Sequence, residues 1–229
     1  MSNAHGFYAR QFSRHFPGRF NRYYVWGKVA TDPLYPAIYD ALRKVETPLL
    51  DVGCGMGLLA FYLREMGWTQ PIHGLDIDVK KIAIATKVAQ HFPGPLLFET
   101  VSVSDPLPPH SGSVTLLDVL QYLPSRDRLH LLRGCAERIA PHGLLIIRTG
   151  IQETNWRGRL TELIDRIGTG TGWITTPSYP HPTLGEITPT LAEAGLVGEF
   201  KPLWGRTPFH NWLGVFQRKD PDPSTLQAT

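Results

Sequence analysis

The stretch Leu49-Leu50-Asp51-Val52-Gly53-Cys54-Gly55-Met56-Gly57-Leu58 decides the fold. A short apolar run ends in an acid, three glycines follow at every second position, and residues 58–66 carry the apolar spacing of an amphipathic helix stopped by Gly67. The implied order is strand, tight turn, helix. Glycine suits such a turn because the chain bends sharply and a ligand can approach backbone that carries no Cβ. A second apolar run over 72–77 carries Asp76 near its end, nineteen residues beyond Gly57. An acid at that place can accept hydrogen bonds from both hydroxyls of a ribose. Asp78 is read as the cap of the next helix, over 79–91.

Outward from this pair the alternation continues. Strands are predicted over 96–101, 113–120 and 143–148. A helix over 127–140 turns Leu129, Leu132, Cys135, Ala136 and Ile139 inward. Such alternation implies βαβ units and a mainly parallel sheet covered on both faces. The end of the chain differs. A short helix over 189–194 is followed by strands over 197–203 and 212–217, which the turn-rich residues 204–208 join as an antiparallel pair. Residues 151–183 are long, glycine-rich and irregular, which suits a lid, and residues 219–229 read as a disordered tail.

Upstream, Phe12, Phe16, Phe20 and Tyr23 or Tyr24 recur at steps of three or four and predict one apolar helical face. Pro17-Gly18 divides the run into two helices. Asp32 as N-cap and Pro33 at the first helical position open a third, ending near Val45. Residues 1–46 are therefore expected to form a helical cap on a domain spanning 47–218.

Of the 229 residues 42% are hydrophobic and 19% charged, enough to bury a core. The net charge of +3 hides an asymmetry: residues 1–31 hold Arg10, Arg14, Arg19, Arg22 and Lys28 and no acid. That basic, aromatic arm can meet an anionic ligand, a membrane surface or nucleic acid, or be a solvated helix face. No apolar run reaches the roughly 18 to 20 residues of a membrane span, and the first thirty residues lack a signal-peptide core. Two cysteines fit a reducing cytoplasm, where the protein is expected. The histidines show no metal-ligand spacing, so no metal is expected.

Gly55-Met56-Gly57-Leu58-Leu59-Ala60 satisfies the loose dinucleotide fingerprint G-x-G-x-x-G/A. Yet Asp51 would repel a pyrophosphate and would welcome an ammonium group. S-adenosylmethionine, with a ribose, a sulfonium, an amino group and no phosphate, fits the loop better than NAD.

LLDVGCGMG, HGLDID, VSDPLP, VTLLDVLQYL and HGLLIIRTG, in that order over residues 48–150, resemble the motifs of class I S-adenosylmethionine-dependent methyltransferases. The resemblance implies an α/β, Rossmann-like fold: a seven-stranded, mainly parallel sheet of order 3-2-1-4-5-7-6 with helices on both faces. It implies that Asp51 and the loop of Gly53, Cys54, Gly55 and Gly57 hold the methionine part, and that Asp76 holds the ribose with Ile77 against the adenine. Ser104 and Asp105 would stand near the adenine amine, although an Asp before Pro is also an ordinary turn former. Asp118 and Val119 would line the cofactor beside the sulfonium.

The acceptor must meet residues outside those motifs. His181, His210 and Tyr122 are the candidates for a base, and Lys28 and Arg22 for contact with the cofactor carboxylate or an acidic acceptor. After the fourth strand Asp118-Val119-Leu120-Gln121 lacks the [DN]-P-P-[YF] that resembles amino-methylating enzymes of nucleic-acid bases. Arg148-Thr149-Gly150 lacks the acid–amide pair that resembles magnesium-dependent catechol methyltransferases. A small apolar or aromatic acceptor, or a lipid precursor, remains. The arm RFNRYYVWGKVATDPLYPAIYDAL and the ending WGRTPFHNWLGVFQR resemble methyltransferases found with polyene or fatty-acyl pigment biosynthesis. An RNA-modifying methyltransferase, a nonenzymatic scaffold and, behind them, an NAD-dependent oxidoreductase are the alternatives.

Overall fold

The computed structural model describes residues 2–102, 104–151, 179–204 and 211–219. In chain order the elements are α1 (Ser2–Ser13), α2 (Arg19–Thr31), α3 (Leu34–Leu42), β1 (Leu49–Val52), α4 (Leu58–Glu65), β2 (Ile72–Asp76), α5 (Val79–Ala89) and β3 (Leu96–Thr100). There follow β4 (Ser113–Leu117), a 3-10 turn (Leu120–Tyr122), α6 (Ser125–Glu137), β5 (Leu144–Gly150), α7 (Leu184–Glu193), β6 (Leu196–Pro202) and β7 (Asn211–Arg218). The strands form one sheet in the order β3-β2-β1-β4-β5-β7-β6. The first five are parallel to their neighbours, whereas β7 runs antiparallel to both β5 and β6. This is the order that the resemblance implied.

Alternate strand residues serve opposite faces, as the pleat requires. Leu50, Val52, Val114, Leu116, Leu145 and Ile147 join Leu132 and Cys135 of α6 and Ile187 and Leu191 of α7 in one core. Leu49, Ile72, Phe98 and Ile146 join Phe61 and Tyr62 of α4 in a second core, which also takes in Phe12, Phe16, Val25 and Ile38 from the N-terminal helices. Arg148, two residues beyond Ile146, therefore falls on the side of those helices.

The N-terminal aromatic face is not one face. Phe12 and Phe16 are wholly buried, but Phe20 and Tyr23 are 66% and 70% exposed. Gly18, at φ 76, breaks the helical phase, so a spacing counted from Phe16 to Phe20 no longer measures one side; α2 buries Val25 and Val29 instead. Helix α3 stops three residues before Val45, where Trp68 Nε1 donates to the Leu42 carbonyl at 3.0 Å.

Helix α6 opens at Ser125, with Asp127 inside its first turn, where a carboxylate faces unpaired N–H groups. It buries Arg128 and Leu131, while Leu129 is half-buried. Helix α7 begins five residues before Pro189, which lies within it. Thr183 Oγ1 accepts from Glu186 N at 3.2 Å, half of a capping box that the sequence Thr183-x-x-Glu186 spells out. Residues 152–178 of the expected lid, His210, and residues 220–229 of the expected tail lie outside the described residues. Among the described residues no helix is long and apolar enough to cross a membrane.

Candidate active site

The carboxyl ends of β1, β4 and β5 open onto a cavity lined by Asp51, Gly53, Gly55, Asp118 and Arg148 from the sheet edge. Lys81 of α5 closes one side, and Tyr24 and Lys28 of α2 with Leu34 and Tyr35 of α3 form the roof. Strand order reverses beside β1, the position where open α/β sheets hold ligands.

The loop after β1 is fixed at several points. Gly53 N and Cys54 N both donate to the Leu75 carbonyl, at 2.7 and 2.9 Å. Asp76 bridges further: Oδ2 accepts from Gly55 N at 2.8 Å and Oδ1 from Asp78 N at 2.9 Å. Each oxygen retains acceptor capacity, although Asp76 itself stands beside the cavity and not in its lining. Gly53, Gly55 and Gly57 all have positive φ, 80, 57 and 77°, but their surroundings differ. A Cβ on Gly53 would stand 2.3 Å from Val119 Cγ2, and one on Gly57 2.8 Å from the Phe98 ring, whereas one on Gly55 would meet nothing within 4 Å. Two glycines let the loop pack; the third leaves backbone bare beside the cavity.

Asp51 lies between Gly74 of β2 and Thr115 of β4 in the register and is 2% exposed. Thr115 Oγ1 donates to its Oδ1 at 2.7 Å. Burial pushes its carboxyl up to about 6; the Thr115 bond opposes this and the nearby Asp76 adds to it. A buried acid of this kind favours a cationic neighbour. Burial, Asp51 and Asp76 push the Cys54 thiol far upward, which makes it a packing residue and not a thiolate nucleophile.

Asp118 departs from strand geometry: its φ is 56°, unusual for any residue but glycine. Arg148 Nε donates to its Oδ1 at 2.9 Å while Nη2 meets Oδ2. The remaining nitrogen, Nη1, reaches both oxygens of Asp32 at 2.7 Å, and Lys28 Nζ stands 3.1 Å from Asp32 Oδ2. Arg148 is 2% exposed; burial works against its charge, but Asp118 and Asp32 outweigh it and hold the guanidinium pKa above its ordinary value. Asp32 also accepts from Leu34 N at 3.0 Å, but α3 begins one residue later than foreseen, at Leu34, with Pro33 and not Asp32 as its N-cap.

The structure thus gathers Asp51, the glycine loop, Asp76, Asp118 and Val119 at one edge. Ile77 is 70% exposed beside Asp76. Ser104 and Asp105 sit exposed in a turn after β3, where Asp105 N donates to the Ser102 carbonyl at 3.0 Å, and they do not line the cavity. Nor do Tyr122, in the 3-10 turn, or His181, which is buried against Gly150 at the end of β5. Arg128 fastens both neighbourhoods, donating from Nε to the Leu120 carbonyl at 2.8 Å and from Nη2 to that of Pro180. Lys28 lines the cavity, but Arg22 turns to the outer side, its Nε held by the Phe16 carbonyl at 2.9 Å.

Sequence reasoning missed Arg148, the second role of Asp32, Arg128 and, in the roof, Leu34 and Tyr35; Lys28 is where it was expected. The signal for Arg148 was a lone charge two residues from the end of an otherwise apolar strand.

Residues 49–143 match a family described as "Methyltransferase domain". The matched stretch, β1 through α6, lies in a sheet whose strand order is that of the class I S-adenosylmethionine-dependent methyltransferase fold. It is similar to the ubiquinone biosynthesis O-methyltransferase of Thiobacillus denitrificans, 31% identical over 127 residues, which make up 51% of this chain and 53% of the relative. The chain spans only about a third to a half of the length of such curated relatives. In structure the chain is similar to magnesium protoporphyrin IX methyltransferase (ChlM) from Synechocystis PCC 6803 with bound SAH. That likeness has a TM-score of 0.66 at 19% identity and covers 95% of this chain and 96% of the other. The [4+2]-cyclase SpnF is similar as well, with a TM-score of 0.61 at 16% identity over 84% of this chain and 83% of its own. These structural likenesses speak for the fold.

Two outcomes in urea unfolding check this geometry. Arg148→Met strands the buried carboxylate of Asp32 and the partly exposed one of Asp118 and is expected to cost about 3 kcal/mol; a loss under about 1 kcal/mol contradicts the clamp. Gly53→Ala should lose well over the roughly 1–2 kcal/mol that a non-glycine residue suffers in the left-handed region, and Gly55→Ala no more than that. Equal losses contradict the division between packing and open glycines.

Proposed function

We propose that this protein transfers the methyl group of S-adenosylmethionine to the hydroxyl of a small apolar or aromatic acceptor. The observation that carries the reading is the buried, charge-hungry Asp51 beside the bare backbone of Gly55 and the half-used carboxylate of Asp76. It suits a ligand with an ammonium group and a ribose, and Asp51 would repel a pyrophosphate. The similarity to ubiquinone O-methyltransferases supports oxygen as the methylated atom and a ring-bearing acceptor.

In this reading Asp51 receives the ammonium group, Gly53, Cys54, Gly55 and Gly57 admit the methionine part, and Asp76 accepts from the ribose hydroxyls while keeping its hold on the loop. The exposed face of Ile77 covers one side of the adenine, and Ser104 and Asp105 approach its amine. Asp118, immobilised by Arg148, and Val119 wall the sulfonium side. The cofactor supplies an electrophilic methyl carbon on sulfur. The protein's part is to align the acceptor for in-line displacement and to exclude water, which the roof of Tyr24, Leu34 and Tyr35 serves. An oxygen acceptor must also lose a proton. His181, His210 and Tyr122 are the candidates to take it; of these His181 stands at the carboxyl end of β5, buried beside Gly150.

Two tests follow. S-adenosylhomocysteine should bind more tightly as pH rises through about 6, because Asp51 must ionise to hold an ammonium, and Asp51→Asn should weaken binding and flatten that profile. A pH-independent affinity shared by both proteins contradicts the role of Asp51. With methyl-labelled cofactor and a panel of phenols, catechols and quinols, label should appear in a ring ether. Asp76→Ala should weaken cofactor affinity by about 2–3 kcal/mol. Label found only in RNA contradicts the acceptor class.

A further inference from the structure

Helix α2 has three distinct sides. Val25 and Val29 are buried, and Tyr24 and Lys28 roof the cavity. Arg19, Arg22, Tyr23 and Trp26, at helical steps of three and four, form a third side that is exposed. Against it pack Arg10 and Arg14 from the end of α1, so that Arg10, Ser13, Arg14, Arg22, Tyr23 and Trp26 line a shallow depression on the outer surface. No acid occurs in residues 1–31, and among the described residues no carboxylate pairs with these four arginines. Phe7 and Phe20 stand nearby in the chain, 59% and 66% exposed.

Neither cavity roof nor core uses this side. Its chemistry matches the boundary of an anionic bilayer. Arginine forks pair with phosphate oxygens, Tyr and Trp settle at headgroup depth, and phenylalanine rings, which cannot hydrogen-bond, gain by passing below it. A row of basic residues alone would serve any polyanion; Phe7, three residues from Arg10 along α1, adds an apolar ring on the same side, the pairing of charge and apolar surface that an anionic bilayer takes.

We propose that the outer side of the α1–α2 pair docks on an anionic lipid surface. Docking sets the cavity roof, one helix side away on α2, close to the bilayer, so an apolar acceptor can pass between lipid and cavity. The inference goes beyond the proposed reaction and does not require it.

Flotation of the full chain with phosphatidylcholine vesicles, with and without phosphatidylglycerol, tests this. Partition is expected only onto the anionic vesicles and should fall with salt. Arg10→Gln and Arg14→Gln should each weaken it about fivefold, the factor for about 1 kcal/mol per basic side chain. Tyr23→Ser with Trp26→Ser should weaken it further. Thermal midpoint and S-adenosylhomocysteine affinity should stay at wild-type values in all variants, which separates a failure of docking from a failure of the cofactor site. Equal partition onto neutral vesicles overturns the proposal, as does partition unaffected by the substitutions. So does arginine-dependent binding of single-stranded RNA or inorganic phosphate without vesicle partition.

Discussion

One guanidinium, that of Arg148, lies between carboxylates brought from two separate parts of the chain. Asp118 comes from the exit of the neighbouring strand β4, and Asp32 from the link between α2 and α3, 116 residues away in sequence. The clamp joins the sheet edge to the helices that roof it. It also offsets a local cost: Asp118 occupies the left-handed region at φ 56°, a conformation that persists only where its surroundings hold it. A buried cation between two acids has no alternative partner in the core, so the arrangement favours one placement of the N-terminal helices over others. Lys28, beside Asp32, extends the same network into the cavity.

Against this tied frame the two other acids of the edge are left with work to do. Asp51 has one protein donor, Thr115, and burial that disfavours its charge; Asp76 spends one acceptor site on each side to hold the loop. Both are under-compensated in a way that a ligand with a cationic group and a vicinal diol would relieve. The parallel strands matter here because their carboxyl ends all meet at one edge, and the reversal of order beside β1 opens the crevice where these groups converge.

The core of the fold was legible in the sequence because strand and helix periods alternate cleanly from Leu49 to Gly150 and Gly67 marks the end of a helix. The positive-φ glycines of the loop and the acid nineteen residues beyond were legible for the same reason: local geometry demands those residue types. What was not legible depended on distance. Asp32 reads from its neighbours as a helix cap; it stands one residue before the N-cap Pro33 and holds Leu34 N, and nothing local reveals that its carboxylate also faces Arg148. Phe20 and Tyr23 have the spacing of a core face, and only the break at Gly18 shows that the phase has been reset. Arg128 breaks the apolar pattern of α6, yet it is buried because three backbone and side-chain acceptors converge on it from Leu120, Pro180 and Glu186.

The account stands on the claim that this edge is built for S-adenosylmethionine and not for a dinucleotide. Parallel calorimetric titration with S-adenosylhomocysteine and NAD is the most direct measurement. The account predicts a micromolar affinity for the first, about −8 kcal/mol, and no heat from the second. Binding of NAD alone, or silence from both with the protein folded, would contradict it.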